Sequence, residues 1–353
     1  METTKKAKSL LVKGVSKATN NLGKLVIEPL KPIPENLYKY YSLMDYNTKG
    51  INNNTIFFSQ VHLLNDILEG DFKKMWNFDT FKDNLSIEEA HKKQITNTTE
   101  YEKKFLENRA IFSACEDYNN DLLWAHYTQE SGYCLEINTH ELLNYLEQQH
   151  KNDYWFYPIN YPKSLSPLLF DDYLELYKKN YGNFIRNFID INLPIFYTLS
   201  TKEHHWHYEK EWRILLRSKK FNYIVSPTQI IDDKSKEIEN KEKIGGNIEI
   251  PNKVIKKVIL APHFFNNSRF NHYDYNKDLG VELFHFKNND EGKKAYDFLN
   301  AINQKYPNSI YQVDKIVQNN VLKREISKSI KIIDINESYI KVVRKEIKQN
   351  PTS

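Results

Sequence analysis

The sequence predicts an α+β protein, with a mixed or split β-sheet core flanked by helices and a helical C-terminal tail. The 353 residues include 24 Tyr and 19 Phe, side chains that bury large areas and favour sheets. Strand-like and helix-like segments follow one another without regular alternation, which favours α+β over a doubly wound sheet. There are only ten Gly and no GxGxxG or GxxxxGK[ST] motif, so Rossmann and P-loop folds are excluded.

Charge and cysteine content indicate a cytoplasmic protein. A net charge of +4 allows a nucleic-acid or nucleotide partner without requiring one. Cys115 and Cys134 are the only cysteines, which is too few for a disulfide framework or a cysteine zinc site. No apolar run approaches the roughly 18 residues of a membrane span. The apolar run Leu10–Val12 is also too short for a signal peptide, so no membrane partner is expected.

Composition divides the chain into three parts. Residues 1–36 are rich in Lys and are predicted to be loosely ordered, with at most a short basic helix. The prolines of "PLKPIPENL" stop any helix and place a boundary near Asn36. Residues 37–290 are predicted to form the main α+β domain. Residues 291–353 are predicted to be a mostly helical tail.

The main domain opens with two predicted strands, "LYKYYSL" (37–43) and "NTIFFSQ" (54–60), because both are aromatic and β-branched. Residues 44–53 have the Asn, Asp and Gly of a connection. The apolar residues that follow have helical spacing, which predicts a helix ending at Gly70. Residues 85–110 are polar and helix-prone, and are predicted to be a solvated helical insertion.

The rest of the main domain continues this mixture. Residues 167–197 have apolar side chains at helical spacing, which predicts one long or two short amphipathic helices. Residues 232–247 are predicted to form a charged loop or hairpin tip. Further strands are predicted at 110–117, in the second half of 121–138, and at 209–216, 254–262 and 281–286, and a further helix at 140–151.

The run "HHWHYEKEWRILL" (204–216) has the highest density of reactive side chains. In a strand, residues two apart share a face, so Glu209, Glu211 and Arg213 are predicted to point the same way. Two nearby carboxylates repel, and one then keeps its proton and acts as acid or base, unless Arg213 neutralises the pair. The alternative is a surface ion-pair ladder worth about 0.2–1 kcal/mol. The histidine spacing fits no metal-site pattern, so no metal is expected.

A second group of candidate residues lies in "LLWAHYTQESGYCLEI" (122–137). His126 is interpreted either as a proton carrier or ligand donor, or as an interior histidine bonded to a backbone carbonyl. Trp124 is interpreted as a core residue. Ser59, at the end of a strand, either contacts a ligand or makes a turn hydrogen bond.

Six motifs occur in order along the chain: "LYKYYSL", "IFFSQVHLLNDILEG", "FSACED", "LLWAHYTQESGYCLEI", "WHYEKEWRILL" and "VIKKVILAP". Together they resemble the bacterial family named domain of unknown function 2971. Its pattern is KY, a strand leading to Asn-Asp-Pro-x-Glu, Trp-x-His-Tyr with a following Gly, and Glu-x-Glu-Trp-Arg. The resemblance covers about residues 37–290. Ile67 and Leu68 depart from it, because the family usually has Pro and an aromatic residue there.

The order of these residues is also similar to the layout of ADP-ribosyltransferases, which hold NAD in a split-sheet cleft. This resemblance implies that Glu211 is the catalytic carboxylate that stabilises positive charge as the glycosidic bond breaks. It implies that Glu209 orients the acceptor and that Ser59 supports Glu211. The residues predicted to contact NAD are Tyr38, Tyr40, Ser59, His126 and Arg213.

The resemblance implies NAD-dependent ADP-ribosyl transfer or NAD cleavage in a bacterial toxin or phage-defence effector. NAD is then the substrate, the acceptor is a nucleic acid or a protein, and Lys202 and Lys210 help to hold the pyrophosphate. One alternative is a non-catalytic sensor of a nucleotide or a phage protein. The other is a metal-dependent nuclease that uses Asp66, His126, His207, Glu209 and Glu211.

Overall fold

The computed structural model describes a large part of the chain, which falls into two compact units. The described ranges are 9–12, 16–21, 24–64, 109–151, 153–165, 192–217, 222–231, 237–318 and 321–347, together with residues 75, 105 and 106. Unit 1 comprises Met1–Ile33, Phe57–Ser113 and His150–Asn247, and unit 2 comprises Pro34–Ile56, Ala114–Gln149 and Ile248–Ser353. These limits differ from the predicted boundaries at 36 and 290, because the chain returns several times to each unit.

Strands outnumber α-helices among the described residues. The strands are β1 (Ser9–Val12), β2 (Ser16–Asn21), β3 (Lys24–Pro29), β4 (Asn36–Tyr41), β5 (Thr55–Ser59), β6 (Arg109–Cys115), β7 (Tyr133–Asn138), β8 (Tyr154–Pro158), β9 (Glu211–Arg217), β10 (Asn222–Ile231), β11 (Glu237–Glu249), β12 (Ile255–Leu260), β13 (Phe270–Asn276), β14 (Val281–Phe286), β15 (Ile310–Gln318), β16 (Val321–Ile335) and β17 (Tyr339–Glu346). The α-helices are α1 (Asp45–Asn52), α2 (Asp121–Thr128), α3 (Thr139–Gln149), α4 (Asn192–Leu199) and α5 (Asp290–Lys305).

Unit 1 contains two sheets. β1, β2 and β3 form an antiparallel sheet, so the prediction of a loose segment with a short helix is wrong over these residues. In this sheet the strands pair the backbone N–H and C=O groups of their neighbours, so these groups do not need a helix to form hydrogen bonds. In the other sheet β10, β11, β5 and β6 are neighbours in that order, and β9 pairs with both β6 and β8. β10 pairs antiparallel with β11, so residues 237–247, which were predicted to belong to a charged loop or hairpin tip, form a strand instead.

Aromatic side chains fill the interior of unit 1. Phe156 of β8 stacks on Trp212 of β9 with 4.7 Å between ring centroids. Phe196 of α4 meets Tyr157 edge-on at 5.0 Å. Edge-on and stacked pairs are the arrangements that the ring quadrupoles favour. These contacts connect α4 to β8 and β9, the elements that carry the charged residues described below.

Unit 2 contains a mixed, open sheet with helices, which confirms the α+β class and the mixed sheet. Its strands follow the order β4-β7-β12-β15-β16-β17-β14-β13. β12 and β15 are parallel, whereas the other neighbouring pairs are antiparallel. The ring of Phe298 in α5 lies 4.4 Å from that of Tyr133 in β7, so α5 packs against the sheet.

The predicted helical tail is correct for α5 and wrong beyond Lys305, where the chain forms β15, β16 and β17. Ile330 and Ile332 are buried in β16, and Ile340 and Val342 are buried in β17. Burial of every second residue, here β-branched, is the pattern of a half-buried strand. This pattern favours strands over the helix that the polar composition of the segment suggested.

Helix α1 replaces the connection predicted at residues 44–53. Thr48 and Ile51 are three residues apart, share one helix face and are both buried. Burial of that face stabilises the helix despite the Asn and Gly content, because tertiary packing overrides weak local propensity.

The helices predicted at 85–110 and 167–197 fall largely outside the described residues. Most of the helix predicted after residue 60 also lies outside them, and its described beginning is a 3₁₀ turn, Val61–Leu63. Among the described helices, none has both the length and the apolar character needed to cross a bilayer.

Substitution of Gly132 tests the packing of the α2–β7 turn. A Cβ at Gly132 would overlap the carbonyl oxygen of Tyr41 and lie 3.1 Å from Cα of Ser42. We expect Gly132→Ala to lower the free energy of unfolding by about 1–3 kcal/mol, as overpacking does in well-packed interiors. Urea denaturation measures this change.

The matched control is Gly50→Ala in α1. Its Cβ would lie 3.3 Å from the carbonyl oxygen of Thr55, and Ala has the higher helix propensity. We expect a change smaller than about 1 kcal/mol. Equal losses of stability in the two variants would contradict the close approach at Gly132.

Candidate functional site

The motif at residues 204–216 folds as a 3₁₀ helix followed by a strand. The 3₁₀ helix is His204–Glu209, Lys210 takes a left-handed conformation with φ 43°, and β9 begins at Glu211. The strand predicted from residue 209 is therefore wrong for its first two residues, because a positive φ interrupts extended backbone. Glu211 and Arg213 lie two residues apart in β9 and share a face, as predicted.

Four buried side chains, Lys202, Glu209, Glu211 and Arg213, form what we call the ion cluster. Arg213 donates from Nε to Oε1 of Glu211 at 2.6 Å and from Nη2 to Oε2 at 3.0 Å. Nζ of Lys202 lies 2.7 Å from Oε2 of Glu209 and 3.5 Å from Oε2 of Glu211. None of the four residues is more than 4% exposed. Two cations therefore balance two carboxylates inside unit 1.

Backbone contacts hold the ion cluster in place. The amide of Asn160 donates to the carbonyl oxygen of Ser200 at 2.8 Å, and the amide of Lys202 donates back to the carbonyl oxygen of Asn160 at 3.0 Å. Nη1 of Arg213 donates to the carbonyl oxygen of Leu199, the last residue of α4, at 3.0 Å. The end of α4 and the start of β9 are thus connected through the cluster itself.

The pKa of Glu211 is lowered from 4.5 to about 2. Burial by itself raises this pKa, but the charge of Arg213, the charge of Lys202 and hydrogen bonds to the carboxylate outweigh burial. Glu211 is therefore ionised at neutral pH. It is suited to stabilise positive charge and unsuited to donate a proton.

Partly exposed aromatic residues border the ion cluster on the 3₁₀ helix. Nζ of Lys202 lies 4.6 Å from the centroid of the Trp206 ring, within cation–π range. The Trp206 ring lies 6.1 Å from that of Tyr208, and both side chains are partly exposed. The rings of His204 and His207 stack at 4.8 Å on the exposed surface of the same helix. An aromatic surface thus adjoins the buried charges.

The structure also places three other predicted residues of unit 1. Oγ of Ser59 donates to the neighbouring carbonyl oxygen of Gln60 at 3.2 Å, which is the turn hydrogen bond predicted as one alternative for this residue. Lys202, predicted to contact a pyrophosphate, is bonded to the two carboxylates. Lys210 is exposed to solvent.

Tyr38, Tyr40 and His126 belong to unit 2. The hydroxyl of Tyr40 donates to the carbonyl oxygen of Asp117 at 2.8 Å, and burial raises the pKa of Tyr40 well above its ordinary value. The ring of Tyr38 lies 5.5 Å from that of Tyr118, and burial also raises the Tyr38 pKa. His126 is exposed on α2, so its interpretation as an interior histidine is wrong.

One contributor to the site, Tyr161, has no clear signature in the sequence. The hydroxyl of Tyr161 accepts from the amide of Glu211 at 3.0 Å. No local pattern marks Tyr161, because the contact joins residues 50 positions apart.

The described residues contain no group of three or more His, Cys, Asp or Glu placed to hold a metal ion. Of the residues named for a nuclease, Asp66 lies outside the described ranges and His126 belongs to unit 2.

Residues 123–214 match the family described as Protein of unknown function (DUF2971). The match confirms the family predicted from the motifs, over a range narrower than residues 37–290. The matched range includes both Trp124 and the Glu211–Arg213 pair. Comparison with curated proteins and with solved structures gave no significant match.

The lowered pKa of Glu211 predicts acid-dependent stability. Stabilisation by its charge is complete above the ordinary value of 4.5 and is lost as the pH falls toward about 2. We expect a loss on the order of 3 kcal/mol in the free energy of unfolding across this range. Urea denaturation at a series of pH values measures it.

In Glu211→Gln this acid-dependent loss should be smaller than in the wild type, because Gln does not titrate. Glu203→Gln is the control, since Glu203 is partly exposed outside the ion cluster, where it pairs with exposed His205. It should keep the wild-type pH dependence. An unchanged pH dependence in Glu211→Gln would contradict the assignment to this carboxylate.

Removal of Arg213 tests the pairing within the ion cluster. Arg213→Met should lower the free energy of unfolding by about 3–5 kcal/mol, because it leaves a buried carboxylate without its principal partner. Glu211→Gln combined with Arg213→Met should cost less than the sum of the single changes, with a coupling of about 0.5–3 kcal/mol. Additive effects in denaturation measurements would contradict direct pairing.

Proposed function

We propose that this DUF2971 protein cleaves NAD or transfers its ADP-ribose group, with Glu211 as the catalytic anion. The observation that carries the proposal is an ionised, dehydrated carboxylate held next to an aromatic surface. A desolvated anion stabilises developing positive charge far better than an anion in water. An aromatic surface with a few polar groups is the usual character of a nucleotide site.

The proposed reaction breaks the bond between C1′ of ribose and the nicotinamide nitrogen. The bonding electron pair leaves with nicotinamide, and the ribose becomes an oxocarbenium-like centre that the Glu211 carboxylate stabilises. Water or an acceptor nucleophile then forms the new bond to C1′ and releases a proton. Cleavage yields nicotinamide and ADP-ribose, whereas transfer yields nicotinamide and an ADP-ribosylated nucleic acid or protein.

The residues around Glu211 have matching roles in the proposal. Trp206 and Tyr208 stack on the planar rings of NAD, and exposed Lys210 contacts the pyrophosphate. Glu209, held 2.7 Å from Lys202, orients the acceptor. The proposed setting is a bacterial toxin or phage-defence effector with an ADP-ribosyltransferase-like layout.

A second function, nucleotide or phage-protein sensing without turnover, is favoured by a different observation. Both carboxylate oxygens of Glu211 already accept hydrogen bonds from Arg213 or Lys202. In this alternative the ion cluster fixes the geometry of the 3₁₀ helix, and the ligand contacts only the aromatic surface that contains Trp206.

Incubation of the full chain with NAD tests the proposal, with nicotinamide release measured by chromatography and acceptor labelling by radioactive ADP-ribose. We expect turnover by the wild type and a loss of about 100-fold or more in Glu211→Gln, the usual scale for removal of a stabilising group. Glu203→Gln should remain active. Trp206→Ala should raise KM more than it lowers kcat, because stacking contributes mainly to binding.

Circular dichroism identifies any variant that fails to fold. Absence of NAD consumption by the wild type would contradict the proposal, as would wild-type activity in a folded Glu211→Gln variant. A nucleotide-dependent rise in Tm without turnover would support the sensor instead. Nuclease activity that is lost on chelation and restored by a divalent cation would support the nuclease.

A further inference from the structure

A pocket of about 360 Å³ lies beside the N-terminus of α2 in unit 2 and takes no part in the reaction proposed above. Its volume is at the lower end of the range for small-molecule sites, which suits a compact ligand. The lining residues are Tyr118, Asn119, Asp121, Lys323, Arg324 and Glu325.

Arg324 is the unusual residue of this pocket. Its side chain is buried, with Nε donating to the Asp121 carboxylate and Nη2 donating to the Glu130 carboxylate. Nη1 is also buried, and no described residue accepts a hydrogen bond from it. A buried donor without an acceptor costs about 1–3 kcal/mol. A ligand that brings an acceptor atom to Nη1 removes this cost.

Buried aromatic residues hold the part of the pocket wall that contains Tyr118. Nε1 of Trp124 donates to the carbonyl oxygen of Tyr118 at 2.6 Å, and the Tyr40 hydroxyl donates to the carbonyl oxygen of Asp117 at 2.8 Å. The rings of Tyr40 and Trp124 meet edge-on at 5.1 Å. Oδ1 of Asn120 accepts from backbone amides in the first turn of α2. These contacts fix the position of the loop that carries Tyr118.

The charges around the pocket restrict the ligand. The carboxylates of Asp121 and Glu325 can accept hydrogen bonds from N–H groups of a ligand. The side chains of Arg324 and Lys323 can donate hydrogen bonds to ligand acceptors. Positive and negative charges balance, which disfavours a polyphosphate. The partly exposed ring of Tyr118 supplies a flat apolar surface. The ligand that complements this pocket is a neutral planar ring that has hydrogen-bond acceptors on one edge and several N–H donors on the adjacent edge.

We propose that this pocket binds a guanine nucleoside. Guanine presents O6 and N7 as acceptors, the edge that arginine recognises in nucleic acids. Its N1–H and N2–H₂ groups are neighbouring donors for the carboxylates of Glu325 and Asp121, and its ring stacks on Tyr118. Adenine offers one amino group and no carbonyl oxygen, so it satisfies fewer of these partners.

Calorimetric titration of the full chain with guanosine and adenosine tests the proposal. Guanosine should bind at least tenfold more tightly than adenosine, and Glu325→Gln or Asp121→Asn should weaken guanosine binding at least tenfold. Glu337→Gln is the matched control, because Glu337 is exposed in unit 2 and does not line the pocket. It should bind as the wild type does.

Carboxylate variants are preferred to Arg324→Ala, which would leave Asp121 and Glu130 without their guanidinium partner. Failure of guanosine to give saturable binding would overturn the proposal, as would equal affinity for adenosine. Unchanged guanosine affinity in both carboxylate variants would also overturn it. Glu211→Gln should bind guanosine as the wild type does, so loss of NAD turnover and loss of this site are distinguishable.

Discussion

Two carboxylates and two cations share a dehydrated space in unit 1, and the local backbone keeps them paired. An unpaired charge in such a place costs several kcal/mol, so each partner must be present for the others to be tolerated. In a continuous strand the carboxylate of Glu209 would lie about 7 Å along β9 from that of Glu211. Lys210, in a left-handed conformation, lies immediately before β9 and interrupts the extended backbone. The 3₁₀ helix that precedes Lys210 brings Glu209 to Lys202.

Arg213 in unit 1 and Arg324 in unit 2 are both buried, and their guanidinium groups are used differently. In unit 1, Arg213 uses Nε, Nη1 and Nη2 in hydrogen bonds to Glu211 and to the carbonyl oxygen of Leu199. In unit 2, Arg324 uses Nε and Nη2, while Nη1 has no acceptor among the described residues. Arg213 therefore fixes the charge state of a protein carboxylate, whereas Nη1 of Arg324 is the donor that the proposed guanine site uses.

The family motifs divide between these two arrangements. The Glu-x-Glu-Trp-Arg motif supplies Glu209, Glu211 and Arg213 to the ion cluster. The motif that contains Trp124 instead orders the loop at Tyr118, through a hydrogen bond and a ring contact with Tyr40. The four residues of the ion cluster and Trp124 thus all fall within the range that matches the family.

Local sequence patterns predicted seven of the seventeen described strands (β4, β5, β6, β7, β9, β12 and β14), the helix at Thr139–Gln149, and the shared face of Glu211 and Arg213. These features depend on periods of 2 and 3.6 residues, which a short segment contains in full. Local patterns were misleading for α1 and for the three strands after α5, where burial against distant residues overrode polar composition. Only the tertiary structure placed Lys202 between the two carboxylates, added Tyr161 to the site and set the pKa of Glu211 below its ordinary value. Those contacts join separate segments of the chain, and electrostatic balance in a buried cluster depends on distance in space rather than on separation in sequence.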